Sequence, residues 1–275
     1  MLSRKIGIDL GTSTVRIYVK GEGVVLNERA DHRRTLHELI GKANGRPRLF
    51  RPDVVVSVPS AVTSGERRAV TEAAISAGAR QVWLIDEPLA AAMGAGLPIG
   101  EVRASAICEL GAATTEIAVI SHSGTVVELS LPVGGRDLDR AIARALAIDE
   151  ESAERVKIAV GSAVPLQEPL TTTVDGREVS STAVVEAIQG PLRQIANAVR
   201  NVVMQTPAGP AADVRDRGIV LSGGGAQLRG IDRYISLHAG ISARVADEPQ
   251  TSVVRGTGLA LENFEVLKRN QSFLR

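Results

Sequence analysis

The stretch IDLGTSTVRIYV (residues 8–19) predicts a strand ending in an acid, a tight turn of small residues, and a second strand that returns along the first. Its second half alternates apolar and polar residues, as a half-buried strand does, and Gly11 permits the turn. The same pattern recurs as CELGAATTEIAV (residues 108–119), with Glu109 in the place of Asp9, 100 residues further on. Such an internal repeat predicts two domains with one core topology, each opening with an acid-bearing hairpin.

Alternating strands and helices are predicted between and after the two hairpins. The run 54–58 is almost continuously β-branched, which is typical of a strand buried on both faces. Further predicted elements are strands at 82–85, 126–133 and 219–222, a β-like stretch at 170–178, helices at 31–42, 64–77, 137–146, 150–160, 181–203, 228–237 and 253–269, and a loop at 207–210. Strand–helix–strand order places the chain in the α/β class.

Composition excludes several classes of protein. Of 275 residues, 44% are hydrophobic and 23% are charged, which is typical of a globular chain with a sizeable core. Aromatic residues make up 2%, and 32 basic residues against 31 acidic ones leave a net charge of +1, so no nucleic-acid partner is expected. One cysteine, Cys108, fits a reducing compartment. Because no apolar run is long enough for a signal peptide or a transmembrane helix, a cytoplasmic protein is expected.

Three glycine-rich turns carry the predicted chemistry. Backbone amides of a tight turn point outward and bind anions, so two facing hairpin turns would grip the phosphates of a nucleotide. Asp9 and Glu109 would lie near those phosphates, where carboxylates need a cation, and Mg²⁺ with retained water is the usual one. The third turn, 222–225, has few side chains, so a base and ribose can approach its backbone. Each turn alone is also explained as an ordinary turn, but three in this order favour a nucleotide site.

Residues along nearly the whole chain resemble the MreB family of bacterial actins. The resemblance begins with Asp9-Leu10-Gly11-Thr12 in the first hairpin and is dense in LIDEPLAAA (residues 84–92). Other matching stretches are VKGEGVVLNE (19–28), VSVPSAVT (56–63), ERRAV (66–70), GAGLP (94–98), TTEIAVIS (114–121), VGG (133–135) and GIVLSGGGA (218–226). Actin, the heat-shock chaperone ATPase and sugar kinases belong to the same superfamily, but the residues between the turns favour MreB.

This resemblance implies an actin-like ATPase fold with ATP and Mg²⁺ in a cleft between two related domains, 1–103 plus 251–275 and 104–250, with an outer subdomain at about 144–207. By position, Asp9 and Glu109 would hold Mg²⁺ through water, and Glu87 would position the attacking water with help from Thr115. The residues assigned to phosphate are Gly11, Thr12, Ser13, Gly111, Ala112, Ala113 and Thr114, and those assigned to adenosine are Glu154, Lys157, Gly223, Gly224 and Gly225.

The second hairpin turn departs from the family's pattern. Where the family has Asp-x-Gly-Gly-Gly, this chain has Glu109-Leu110-Gly111-Ala112-Ala113. Glutamate is one methylene longer than aspartate, and Mg²⁺ tolerates little error in its octahedral shell of ~2.0–2.1 Å. A Cβ would obstruct the phosphate if the turn needed a positive φ or a close approach there. Weakened hydrolysis is therefore predicted rather than lost binding; neutral drift is the alternative.

The chain is also shorter than a typical family member. Most of the shortfall is predicted at 29–46, where only a trailing helix near 35–42 is left of the outer subdomain of the first domain. Smaller losses are predicted at 147–152 and 175–180 in the outer subdomain of the second domain. The resemblance thus implies a shortened MreB-like paralogue, with one outer subdomain largely missing and the other reduced.

Leu49 and Phe50 form an apolar pair among the arginines 46, 48 and 51. In the family an apolar pair in this loop enters the bilayer, and basic neighbours suit anionic headgroups. The resemblance implies self-assembly, or co-assembly with a full-length MreB-like protein, into filaments at the inner face of the cell membrane that guide wall synthesis and cell shape. The alternative is that both residues begin the strand at 54–58 and are buried.

Three functions are open on the sequence alone. The first is a nucleotide-dependent cytoskeletal protein or regulator, which the intact Asp9, Glu87 and 223–225 favour. The second is a non-hydrolysing adaptor that keeps the fold for protein contacts, which Glu109 and the two alanines after Gly111 favour. The third is a small-molecule kinase of the same superfamily, for which the shortened outer regions leave little substrate-binding material.

Overall fold

Two five-stranded sheets form the framework of the protein. The computed structural model describes residues 4–30, 36–44 and 51–262. Its strands are β1 (Lys5–Leu10), β2 (Thr14–Val19), β3 (Gly23–Arg29), β4 (Asp53–Val58), β5 (Gln81–Asp86), β6 (Ser105–Leu110), β7 (Thr115–Ser121), β8 (Gly124–Leu131), β9 (Thr171–Val174), β10 (Arg177–Ser180), β11 (Ile219–Ser222) and β12 (Ala243–Val245). The first sheet has the order β3-β2-β1-β4-β5, the second β8-β7-β6-β11-β12, and β9 pairs with β10.

The predicted internal repeat is confirmed by the topology of the two sheets. In the first sheet β1, β2 and β3 form an antiparallel meander, and β4 and β5 follow as parallel strands. The second sheet repeats this arrangement with β6, β7 and β8 followed by β11 and β12. Both sheets also have a register shift between the second and third strand of the meander. Equivalent residues of the two hairpins therefore occupy equivalent places in the two sheets.

Helices cover the sheets at positions close to those predicted. They are α1 (Leu36–Asn44), α2 (Ser64–Ser76), α3 (Glu87–Gly94), α4 (Gly135–Leu146), α5 (Glu150–Val160), α6 (Ser181–Gln205), α7 (Ala208–Arg217), α8 (Ile231–Ala239) and α9 (Ser252–Glu262). Thr63 and Glu66 form a capping box that starts α2, and Asp149 caps α5 through the amide of Ser152. The last part of the helix predicted at 253–269 lies outside the described residues.

Two predicted boundaries after α6 were wrong. The loop predicted at 207–210 is the start of α7, because Pro210 lies in the first helical turn, where an amide hydrogen has no acceptor within the helix. The helix predicted at 228–237 begins later, at Ile231, because Gly230 is left-handed with a φ of 70°.

The core is aliphatic, as the low aromatic content predicts. The largest side chains that are fully buried are Ile6, Ile8, Ile17, Ile85, Ile107, Ile117, Ile120, Ile142, Ile188, Leu192, Ile219 and Leu221. Cys108 is also fully buried, in agreement with its predicted place in the core. No helix in the described ranges combines the length and the apolarity needed to cross a bilayer.

The connections in the outer regions are short. Between β3 and β4 the described chain forms one helix, α1. β9 and β10 are joined by Asp175 and Gly176, which have φ angles of 49° and 73°. Positive φ at both central residues is typical of the tight type I′ hairpin turn, for which Asp-Gly is a preferred sequence.

Glycine contacts hold α9 against α3. A Cβ at Gly256 of α9 would overlap the carbonyl oxygen of Ala90, and a Cβ at Gly94 of α3 would overlap the carbonyl oxygen of Ser252. These backbone oxygens cannot swing aside as side chains can. The two helices can therefore pack at this distance only with glycine at both places.

Gly256→Ala is expected to destabilise the protein by roughly 1–3 kcal/mol or more, because the added methyl group must push two helices apart. Urea denaturation would measure the loss. Gly41→Ala is the matched control, since Gly41 lies inside α1 and a Cβ there has open space; it should be neutral or stabilising by about 0.5–1 kcal/mol. Equal effects of the two substitutions would contradict the packing argument.

Candidate functional site

The two hairpins place an acid at the same point of each sheet. Asp9 lies opposite Arg16 on β2 and Ser57 on β4. Its repeat partner Glu109 lies opposite Glu116 on β7 and Ser222 on β11. Each central acid is thus flanked by a serine on one side, whereas the residue on the other side is basic in one sheet and acidic in the other.

A buried ion pair lies at the end of β1. Arg16 Nη1 donates a hydrogen bond of 3.3 Å to Asp9 Oδ2, and the two residues are 8% and 5% exposed. Burial raises the pKa of Asp9, and the positive charge of Arg16 opposes that rise. Because both residues are buried, removing either one would leave an unpaired charge that destabilises the folded state.

Asp9, Glu87, Glu109 and Glu116 form an acid cluster between the two sheets. Glu116 is fully buried and accepts hydrogen bonds from Ser60 Oγ at 2.5 Å and Ser130 Oγ at 2.6 Å. Burial, followed by the charge of Glu87, raises the pKa of Glu109 well above its usual value. Burial and the charges of Asp9 and Glu116 raise the pKa of Glu87 to about 8. Acids from both repeats therefore act on the same two carboxyl groups, those of Glu87 and Glu109.

The first two turns present backbone donors at this site. Within the described residues, no acceptor is found for the amides of Thr12, Ser13, Ala112 and Ala113. The amide of Gly135 donates to Gly111 O at 2.9 Å, so the start of α4 supports the second turn. Neither alanine has a positive φ, because the non-glycine residues with positive φ in the described chain are Ala147, Asp175 and Glu248. The backbone strain that would make these alanines obstructive is therefore not present.

The third turn lies directly against the second hairpin. Gly223 has a φ of 83°, and a Cβ there would overlap Leu110 O and Glu109 Oε1. Gly224, in contrast, is exposed and has open space at its Cβ position. Ser222 Oγ is buried and has no hydrogen-bond partner in the described chain. The third glycine-rich turn thus lies beside the acid of the second hairpin.

Three side-chain contacts cross from one sheet's side of the site to the other. Arg136 Nη2, beside the second turn, donates to Thr12 O at 2.9 Å. At the exposed edge, Arg29 Nη2 lies 2.7 Å from Glu154 Oε2. The hydrogen bond from Ser60 to Glu116 is the third contact. Sequence reasoning missed these contacts, because they join residues with no common motif.

The other predicted site residues take part in protein contacts. Lys157 Nζ lies 2.6 Å from Asp139 Oδ1 and donates to Gly135 O at 3.2 Å. Thr115 is fully buried, and its hydroxyl donates to Val133 O at 2.8 Å. Leu49 and Phe50 lie outside the described residues.

Arg16 is the functional residue most clearly missed. It could have been found from the repeat, because it is the charged residue facing the acid of the first hairpin, in the place of Glu116 in the second. A cavity of about 430 Å³ beside the first turn was also not foreseen; it is lined by Leu10, Gly11, Thr12, Val15, Leu26, Glu28, Arg29, Ala30, Leu36 and Leu39. No three acidic, histidine or cysteine side chains of the described ranges converge with the geometry of a metal site.

The raised pKa of Glu87 makes stability depend on pH. Between the ordinary value of 4.5 and the folded value of about 8, the folded state holds a proton that the unfolded chain has lost. The free energy of unfolding therefore falls as pH rises through this window. Glu87→Gln removes this titration and is expected to be more stable than wild type by roughly 1–3 kcal/mol near pH 8, but similar near pH 5.

Urea denaturation at both pH values, without nucleotide or divalent cation, would measure this difference. Glu72→Gln is the control, because this glutamate is exposed on α2 beside Arg68. If Glu87→Gln kept the wild-type pH dependence, the acid cluster would not carry the predicted penalty.

Comparison with known proteins gives consistent relatives. A family model described as MreB/Mbl protein matches residues 30–269. The cell shape-determining protein MreB of Escherichia coli K12 is 37% identical over 331 aligned positions, covering 97% of this chain and 95% of that protein. Mbl of Bacillus subtilis 168 is 31% identical and covers 98% of this chain and 99% of that protein. Because the alignments exceed the 275 residues of this chain, these relatives have residues that it lacks.

Solved structures support the same assignment. MreB5 of Spiroplasma citri bound to ADP matches with a TM-score of 0.88 at 25% identity, covering 98% of this chain and 99% of that one. A MamK double helical filament shares the fold, with a TM-score of 0.78 at 16% identity, covering 95% and 99%. The predicted actin-like fold is therefore confirmed, and the chain belongs to the MreB/Mbl family of bacterial actin homologues.

Proposed function

We propose that the protein binds ATP and acts in cell shape and cell-wall morphogenesis as an MreB-like actin homologue. One observation carries the nucleotide part: two turns related by the internal repeat, and linked by Arg136, present four backbone amides without a described acceptor. Such amides bind anions. The structures of MreB5 of Spiroplasma citri bound to ADP and to AMPPNP support this proposal.

The nucleotide would lie between the three turns. Its phosphates would contact the first two turns, and Gly11 and Gly111 keep those turns tight. The adenosine would lie along 223–225, where Gly224 leaves open space. Glu154 and Lys157 on α5 would flank the ribose and base, which requires their contacts with Arg29 and Asp139 to accommodate the ligand. With the domain division proposed at 103/104 and 250/251, this site would lie between the two domains.

Mg²⁺ fits the acid cluster by charge, because the one ion pair of the cluster among the described residues joins Arg16 to Asp9. The described groups do not form a set of direct ligands. Mg²⁺ commonly keeps several waters, so Asp9 and Glu109 would hold it through water. Bound there, the ion would offset the charge of the phosphates.

Glu87 is the residue proposed to position the attacking water. A pKa of about 8 makes this carboxylate a stronger base than usual while leaving part of it ionised near neutral pH. Thr115 would act beside it, although its hydroxyl is already bonded to Val133 O. Hydrolysis is expected to be weak, because Glu109 is one methylene longer than the family's aspartate and the methyl groups of Ala112 and Ala113 would limit the approach of the phosphate, although neither alanine is strained.

A non-hydrolysing adaptor is the second candidate function. The contacts of Arg136 with Thr12 and of Ser60 with Glu116 join the two sheets directly. The arrangement of the sheets therefore does not require a bridging ligand. Such an adaptor would keep the actin-like fold for contacts with a full-length MreB-like protein or a wall-synthesis partner.

In the cell, the protein would act at the inner face of the membrane, by self-assembly or by co-assembly with a full-length relative. The names of the curated relatives support a role in cell shape, and the double helical filament of MamK supports assembly for this fold. The apolar pair Leu49 and Phe50 would provide the membrane contact. A single such loop binds weakly, so assembly would strengthen binding through many loops.

The proposed nucleotide site predicts ATP binding that a substitution at Gly224 should weaken. Wild type should bind ATP well below about 1 mM, and Gly224→Val should weaken binding by roughly tenfold or more, because the valine fills the proposed adenosine space. Calorimetry would measure both affinities. Gly100→Val is the control, since it also has open space at Cβ but lies between α3 and β6. Absence of wild-type binding at millimolar ATP would overturn the nucleotide proposal.

The proposed membrane contact predicts binding to lipid vesicles that depends on Leu49 and Phe50. Leu49→Ser with Phe50→Ser should lower affinity for anionic lipid vesicles by roughly tenfold or more, because the inserted apolar area is lost. Co-sedimentation would measure it. Val102→Ser with Leu237→Ser is the matched control, since these apolar residues are 78% and 76% exposed elsewhere on the surface. Unchanged vesicle binding of the first double variant would contradict insertion.

A further inference from the structure

Arg16 is an unusual residue in this chain because its charge is buried. Among the residues that the structure describes, it is the only lysine or arginine that is buried, with 8% of its surface exposed. It lies on β2 between neighbours that contribute to the core, including the fully buried Ile17. A buried guanidinium needs partners, since an unpaired buried charge is destabilising by several kcal/mol.

The protein supplies Arg16 with few partners. Within the described ranges its guanidinium has one hydrogen-bond acceptor, Asp9 Oδ2 at 3.3 Å. Its Nε is buried and has no hydrogen-bond partner. The protein therefore leaves hydrogen-bond donors of Arg16 without an acceptor. The same side chain is bonded to Asp9, beside which the phosphate oxygens of a nucleotide are proposed to bind.

The positive charge of Arg16 lies next to the acid cluster, where it can offset negative charge. Asp9 and Glu116 both raise the pKa of Glu87 and of Glu109, so the charge of Arg16 lies at a site rich in acids. Phosphates entering this site would add further negative charge. Arg16 is a fixed positive charge that is already bonded to the acid proposed to hold the water shell of Mg²⁺.

The internal repeat shows that this charge is a local feature and not a requirement of the fold. The place of Arg16 in the first hairpin is occupied by Glu116 in the second, where the same strand pairing is formed. Glu116 is satisfied by two serine hydroxyls instead. The hairpin can thus be built with either sign of charge at this position.

We propose that Arg16 is a built-in counter-cation of the nucleotide site, which supplies part of the positive charge otherwise brought by a divalent cation. Nucleotide binding then depends only weakly on Mg²⁺. This inference rests on the proposed binding of ATP. Arg16 acts through Asp9 and is a positioning residue, not a catalytic one.

The test compares ATP affinity with Mg²⁺ and with EDTA, by calorimetry, in wild type and in Arg16→Leu. Removing Mg²⁺ should weaken wild-type binding by less than about threefold, but binding of Arg16→Leu by roughly tenfold or more. Arg16→Lys keeps the charge and should behave as wild type. Arg68→Leu is the control for removal of one positive charge, because Arg68 is exposed on α2 beside Glu72.

Each outcome decides the proposal. A wild type that loses ATP affinity by about a hundredfold in EDTA, or an Arg16→Leu variant with the wild-type ratio, would overturn the role of Arg16 and leave ATP binding intact. Absence of binding in both buffers would overturn ATP binding and this inference together. The wild-type ratio needs no variant, so misfolding of Arg16→Leu, checked by circular dichroism, does not remove the test.

Discussion

The burial of four acids at one place is the constraint on which the rest of the structure depends. Asp9, Glu87, Glu109 and Glu116 come from two sheets and one helix, and Asp9 and Glu116 both raise the pKa of Glu87 and of Glu109. A raised pKa means that a carboxyl group keeps its proton to higher pH, so protons relieve part of the repulsion. Asp9 is paired with Arg16 instead, and the hydroxyls of Ser60 and Ser130 donate to Glu116.

Much of the fold could be predicted because the sequence of the first hairpin recurs 100 residues later. The equivalence of Asp9 with Glu109 predicted both hairpins, and the sheets confirm it down to their strand order. The prediction that the first two turns face each other rests on the same equivalence. In contrast, the contact of Arg136 with Thr12 and that of Arg29 with Glu154 depend on how the two halves meet, which no local pattern encodes. The start of α7 was missed because Pro210 marks a loop or a first helical turn equally well.

The two repeats show which parts of the hairpin are structural and which are chemical. A serine stands on the first parallel strand after the meander in both sheets, Ser57 on β4 and Ser222 on β11, and an acid stands on the central strand. The residue facing that acid differs in charge between them. Strand pairing therefore tolerates either sign, while the chemistry of the site changes with it.

The glycine contacts between α3 and α9 also determine how the cleft can open. The chain passes from the first sheet to the second just after Gly94 and returns just before Ser252, and these two residues are in close contact. The two connections between the sheets therefore begin side by side, where α3 packs against α9. Rotation about that line is the relative motion of the sheets that would leave these contacts intact. The contacts of Arg29 with Glu154, of Arg136 with Thr12 and of Ser60 with Glu116 cross between the two sheets, so opening the cleft would stretch or break these three bonds.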